Sequence, residues 1–293
     1  MGSTGRIWTK AVIFGLAVVC FGCGGGGSGG DDGSSVQTGS FLDSEVHGIT
    51  YTTPTQSGIT STFKYLNGEI VQFSMGSVIL GEAQGKEWLT PVDLVPSAID
   101  ETNPTVTNIA RFLQSLDWDG DVGDGITITA AMRDEAQGRT IDFAQSITDF
   151  ENDPDVQSFF DTLNHLGLFG TSGTRSLVSS AQAQNHLQVT IALAGFAGDY
   201  SGTFSNGGRW SFDLDLEGQV TSGGVRDSSG TLVAYMRRFG GGVDFSGNLG
   251  LVLFNYGSND NFCGMSMVGT IDSAGNVQGT CLSGSDTFIG TRE

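Results

Sequence analysis

Hydrophobic and polar positions follow several regimes along the chain. Residues 11–22 are apolar without interruption, a length that suits an export signal and falls short of the ~20 residues of a membrane-spanning helix. Residues 47–95 carry short apolar runs broken by glycine. Asn67-Gly68 lies between residues 63–66 and 69–73 and predicts a β-hairpin, because both turn positions need positive φ. Residues 77–80, between Gly76 and Gly81, predict a further strand.

From residue 102 the period becomes 3.6. Thr102-Asn103-Pro104 predicts a helix start, with Val106, Ile109, Ala110, Leu113 and Leu116 on its apolar face. Further helices are predicted over 127–137, from Asp153-Pro154 with Val156, Phe159, Phe160 and Leu163 inward, and over 176–190. After residue 195 the period is two: Trp210, Phe212, Leu214 and Leu216 alternate with Ser211, Asp213, Asp215 and Glu217. Strands are predicted near 199–204, 209–216, 219–225, 231–238, 249–256, 264–271, 276–282 and 286–292. The look-alike phrases at 201–204 and 287–291 suggest that the first and last of these pair. The class expected is α+β: over 41–194 a small β-sheet with a helical cluster, then over 195–293 an all-β antiparallel meander forming a barrel or sandwich.

Charge narrows the functions. The chain carries 32 Asp and Glu against 13 Lys and Arg, a net charge of −19. Removing Arg6 and Lys10 with the leader leaves 11 bases and a net charge of −21. Nucleic acid is thereby disfavoured as a partner, since phosphate binding needs a basic surface. Divalent cations are favoured.

Arg6 and Lys10 precede the apolar run, as in a signal peptide over 1–22. Cys20-Phe21-Gly22-Cys23 resembles the lipobox of bacterial lipoproteins, with Cys20 where leucine is usual. The resemblance implies lipidation of Cys23, and Gly24 in place of Asp implies the outer membrane. Residues 23–40 then read as a Gly/Ser-rich tether. Cys263 and Cys281 are left in an oxidising compartment and are expected to pair.

Val46-His-Gly-Ile-Thr-Tyr51, the 63–73 segment, 89–95 and Asn103-Pro-Thr-Val-Thr-Asn-Ile-Ala-Arg-Phe-Leu-Gln114 resemble a module of Gram-negative surface lipoproteins and adhesin-like proteins. The resemblance spans roughly 46–190 and implies location and a lean toward adhesion. The C-terminal pattern resembles small calyx-type barrels of lipocalin-like and surface-lipoprotein domains.

The sharpest chemical motif is Asp117-Trp-Asp119-Gly-Asp121-Val-Gly-Asp124-Gly. Carboxylates at alternate positions with glycines between them suit calcium, a hard cation that takes six to eight oxygens. It departs from an EF-hand at Val122 and Ile128, where that loop needs Gly and Glu, so only a looser calcium loop is expected. His47, His165 and His186 have no zinc spacing, and no nucleophile-elbow motif is present. The function expected is a non-enzymatic, membrane-anchored interaction or adhesion module with a surface protein or glycan as partner. The alternatives are a small-molecule carrier using the barrel and an extracytoplasmic hydrolase.

Overall fold

The computed structural model describes residues 35–170, 173–255, 262–282 and 285–293. The expected signal peptide, Cys23 and the expected tether up to residue 34 lie outside the described residues. Strands β1 (Gln37–Phe41), β2 (Val46–His47), β3 (Thr50–Thr52), β4 (Ser57–Ile59), β5 (Thr62–Tyr65), β6 (Ile70–Met75), β7 (Val78–Gln84), β8 (Trp88–Leu89) and β9 (Ile126–Thr127) group as β5-β1-β8, β4-β3-β6-β7 and the pair β2-β9. The Phe73 ring packs against Phe41 and Phe63 at 4.4 and 5.4 Å, joining the first two groups.

The hairpin expected around Asn67-Gly68 is not formed. The chain does reverse there, with Glu69 N donating to Leu66 O at 3.0 Å. Its flanking strands diverge: β5 pairs with β1, whereas β6 pairs with β3 and β7. Local turn chemistry produces the reversal, but burial of Phe63 and Tyr65 beside β1 selects the partner. The strand predicted over 77–80 runs on to Gln84. Leu80 is the extra residue of a bulge, since Phe73 faces Gly81 while Ser74 faces Ile79.

Helices α1 (Pro104–Ser115), α2 (Ala130–Glu135), α3 (Ile147–Glu151), α4 (Pro154–His165) and α5 (Ser180–Ala194) follow. α1 begins where predicted: the Asn103 side chain accepts from Thr105 N and Val106 N, and Pro104 takes the first turn. α2 is shorter than expected, because Ile126 and Thr127 pair with β2 and Thr129 caps the helix. α5 starts later than expected, at a capping box formed by Ser179 and Gln182. α3 had no prediction; Ser146 caps it.

α1 is buried on all sides from Val106 to Ser115. Its apolar face enters the first core beside Phe143, Phe159 and Phe160. Its polar face is equally dry, and its side chains hold passing backbone. Asn108 Nδ2 donates to Phe143 O and Gln145 O, both at 3.1 Å. Arg111 Nε donates to Val178 O at 2.7 Å. Ser115 Oγ accepts from Val178 N at 2.9 Å.

After residue 195 come β10 (Gly198–Phe204), β11 (Arg209–Leu214), β12 (Val220–Arg226), β13 (Leu232–Met236), β14 (Gly241–Val243), β15 (Asn248–Val252), β16 (Phe254–Asn255), β17 (Ser266–Ile271), β18 (Asn276–Cys281) and β19 (Thr287–Arg292). They form one antiparallel sheet in the order β14-β15-β17-β18-β19-β10-β11-β12-β13-β16. β10 pairs with β19, as the look-alike phrases suggested, but this pair lies inside the sheet and closes nothing. The sheet curls instead through a bridge between Gln219 and Gly242, which brings β14 back to the start of β12.

β14 takes in Gly241 and Gly242 of the glycine run 240–242, although such a run locally suits a turn. Side chains at Gly241 and Gly242 would run into the Gly250 and Gly218 carbonyls, so glycine serves close strand approach here. Tyr200, Trp210, Phe212 and Phe288 belong to a second core on the buried face of the sheet, against which Leu193 at the end of α5 and Phe196 pack. The expected disulfide is present: Cys263, in the 3-10 turn Phe262–Met265, is bonded to Cys281 at the end of β18.

Candidate functional site

The acidic motif forms the turn that leaves α1. Asp117 is fully buried; its Oδ1 accepts from Thr127 N at 2.9 Å and its Oδ2 from Gly120 N at 2.8 Å. Burial pushes its pKa up, and the Thr127 N–H opposes this. Asp119 and Asp121 are exposed and accept from Asp121 N and Gly123 N, each at 3.1 Å. The Asp121 N–H holds the Asp119 carboxyl below its usual range, with a smaller contribution from the Arg175 charge. Asp124 ends a 3-10 turn, Val122–Asp124, and is exposed. A side chain on Gly120, at φ +88°, would collide with the Arg175 guanidinium, which therefore sits directly against the motif. The fold thus brings Asp117 and Asp119 together and sets a cation beside them. Among the described residues no three His, Cys, Asp or Glu side chains are arranged to hold a metal.

A second polar group lies under the tight turn at Asp43-Ser44. Asp43 is fully buried, and Gln114 Nε2 of α1 donates to both its carboxyl oxygens at 3.0 and 3.1 Å. Burial raises its pKa to about 8. Ser44, at φ +55°, places its Oγ 2.9 Å from His186 Nε2 of α5, and Ser44 N donates to Thr190 Oγ1 at 3.1 Å. Burial pushes the His186 pKa down, opposed by its bond to the Asp43 backbone carbonyl. A Ser–His contact of this kind has the first two parts of a hydrolytic triad. Here the neighbouring acid is engaged by Gln114, and the imidazole receives only a main-chain carbonyl from it. What the arrangement does is dock the 42–45 turn onto α1 and α5.

The third feature is a groove of about 560 Å³ on the outer face of the C-terminal sheet. Period-two alternation turns Arg209, Ser211 and Asp213 of β11 outward and buries Trp210, Phe212 and Leu214. The register sets Arg209 opposite Arg226, Ser211 opposite Gly224 and Asp213 opposite Ser222 of β12. Gly224 is in turn opposite Tyr235 of β13, and Tyr235 opposite Phe254 of β16. With glycine at 224, between Ser211 and Tyr235, the centre of this face lacks a side chain, and the groove follows. Arg226 Nη1 donates to Gly230 O at 3.2 Å, and the Ser222 hydroxyl donates to the Asp213 carboxylate. Among the described residues neither Arg209 nor Arg226 lies within ion-pair distance of a carboxylate.

Beside the groove the Tyr235 and Phe254 rings stack at 5.8 Å. The Arg237 guanidinium covers them, 5.3 Å from the first ring and 4.6 Å from the second. Arg237 Nη2 also donates to Tyr235 Oη at 2.6 Å. Like charges directly opposite across a sheet repel. The pairing of Arg209 with Arg226 therefore weakens the sheet unless an anion joins them. Sequence reasoning missed this group. The phase of each arginine was readable from Trp210 and Val225 beside them, but the register that makes them neighbours was not.

The chain is thus an α+β protein whose C-terminal part is a curled antiparallel sheet with a cationic groove on its outer face. No family model, no curated protein and no solved structure matches it.

Proposed function

We propose that this is a lipid-anchored lipoprotein of the outer membrane, non-enzymatic, which presents the outer face of its C-terminal sheet to a surface protein or glycan. The observation that carries the reading is the groove between Arg209 and Arg226. In a chain of net charge −19, two arginines face each other on exposed strand positions without a carboxylate partner among the described residues. The lipobox-like Cys20-Phe21-Gly22-Cys23 and the Gly-rich stretch after it supply the anchor. The carrier alternative draws less support, because Tyr200, Trp210, Phe212 and Phe288 pack on the face that would have to enclose a ligand.

Anchoring is tested by growing cells with an alkyne-tagged fatty acid. Label on the wild-type chain, absent from Cys23→Ala, together with recovery in outer-membrane fractions, is the expected result. A chain released without label overturns the anchor.

Calcium belongs to the same proposal as a stiffener of the Asp117–Asp124 turn, drawing the exposed Asp119, Asp121 and Asp124 carboxylates together. Millimolar calcium is expected to raise the melting temperature of the wild type and to leave Asp119→Ala and Asp121→Ala unmoved. Equal responses in all three would place the effect elsewhere.

A further inference from the structure

Resting on the reading of the C-terminal sheet as a binding face, we infer that the groove over Gly224 binds an anionic saccharide, one that bears a carboxylate or phosphate on a sugar ring. Three guanidinium groups border this face. Arg209 and Arg226 are adjacent by register, and the Arg237 guanidinium lies within 5.3 and 4.6 Å of the Tyr235 and Phe254 rings. Each guanidinium presents a planar fork of N–H donors, which matches the paired oxygens of a carboxylate or phosphate. Arg226 and Arg237 are already tethered, to Gly230 O and Tyr235 Oη, so less side-chain freedom is lost on binding.

The rest of the lining suits hydroxyls. Ser211 beside the arginine pair, and Ser222 and Asp213 at the far end, offer short donors and acceptors, and the Leu232 side chain leans over Gly224 as an apolar wall. The volume, about 560 Å³, accommodates a short saccharide. An acidic peptide fits less well. Extended peptides gain much of their affinity by adding a strand to a free sheet edge. This groove lies over β11, β12 and β13, each of which is paired on both sides. The ligand must therefore be recognised by side chains alone, through its charge and its hydroxyls.

The experiment is a titration of the full chain, purified in detergent, followed by calorimetry. The probes are polygalacturonate, its neutral methyl ester, a phosphorylated mannan, neutral mannan and poly-glutamate. Saturable binding of polygalacturonate or phosphomannan, weakened by salt and absent with the two neutral polymers, is expected; which of the two binds identifies the anion as carboxylate or phosphate. Arg209→Ala and Arg226→Ala should each weaken it by about tenfold or more. Gly224→Val should weaken it comparably by filling the floor. A Cβ there lies 3.2 Å from the flexible end of Leu232, so the sheet tolerates the change, and an unchanged melting temperature would verify this. The inference is overturned if no anionic saccharide binds, if the variants bind as the wild type does, or if poly-glutamate binds as tightly as the saccharides. These results are independent of fatty-acid labelling at Cys23, so the anchor and the ligand succeed or fail separately.

Discussion

Alanine in place of Arg111 is expected to destabilise the protein by about 3–5 kcal/mol, the combined effect of a cavity in place of a large buried side chain and of carbonyls left without their donor. Arg111 is 1% exposed and is the largest of the fully buried side chains. Its Nε donates to Val178 O at 2.7 Å, its Nη1 to Ile147 O at 3.4 Å, and its Nη2 lies 3.2 Å from Glu151 Oε2. One side chain on α1 therefore ties down α3 and the segment leading into α5. Truncation leaves the two carbonyls without this donor and opens a cavity at the centre of the helical cluster, and both effects have the same sign. Glu151 is largely exposed and a glutamine there keeps an oxygen to accept from Nη2, so Glu151→Gln should cost less than Arg111→Ala. Arg111→Lys should not rescue, because an ammonium cannot span donors aimed at three separate groups. Urea denaturation with unchanged m-values is the measurement. A loss below about 1 kcal/mol for Arg111→Ala would mean that the carbonyls find other donors and that the helix does not depend on this residue.

Stability is expected to fall as pH rises toward 8, through Asp43. An unfolded aspartate titrates near 3.9, whereas burial raises Asp43 to about 8 in the fold. Between these values the folded state keeps a proton that the unfolded state has lost. The contribution is thus complete below the unfolded value and declines as pH rises, by about 1.4 kcal/mol per pH unit at most. His186 acts in the opposite sense. Its folded pKa is depressed by burial, so its contribution is present above the unfolded value of about 6.5 and is lost on acidification. The Asp43 slope is therefore read most cleanly between pH 7 and 8. Asp43→Asn keeps an acceptor for Gln114 Nε2 without the titration. Its denaturation midpoint should be flat over that interval and higher than wild type at pH 8. A flat wild-type profile would show that Asp43 is ionised in the folded protein.

Much of this architecture was legible in the sequence for reasons that act over a few residues. The Asn103-Pro104 start of α1, the inward faces of α1 and α4, and the outward phase of Arg209 against Trp210 follow from capping chemistry and periodicity. So does the pairing of Cys263 with Cys281, once their compartment is inferred. The 3.6 period also identified the apolar face of α1, but it left Asn108, Arg111 and Gln114 on a face that reads as wet. Those residues are dry because three separate loops and α5 close over them, and their hydrogen bonds reach residues 35 to 71 positions away.

The same division holds at the surface. Asn67-Gly68 and the glycines at 240–242 carry turn chemistry, yet the first does not pair its own flanks, and Gly241 and Gly242 of the second pair as a strand. The sequence by itself determined most of the segments that are strand or helix, which side of each faces inward, and which two cysteines bond. Tertiary structure alone decided which strands are neighbours, that Arg209 meets Arg226, and that Asp43 and Arg111 are sealed from water. The reason is physical: periodicity and caps are properties of contiguous backbone, whereas register and burial depend on packing between residues that the chain separates.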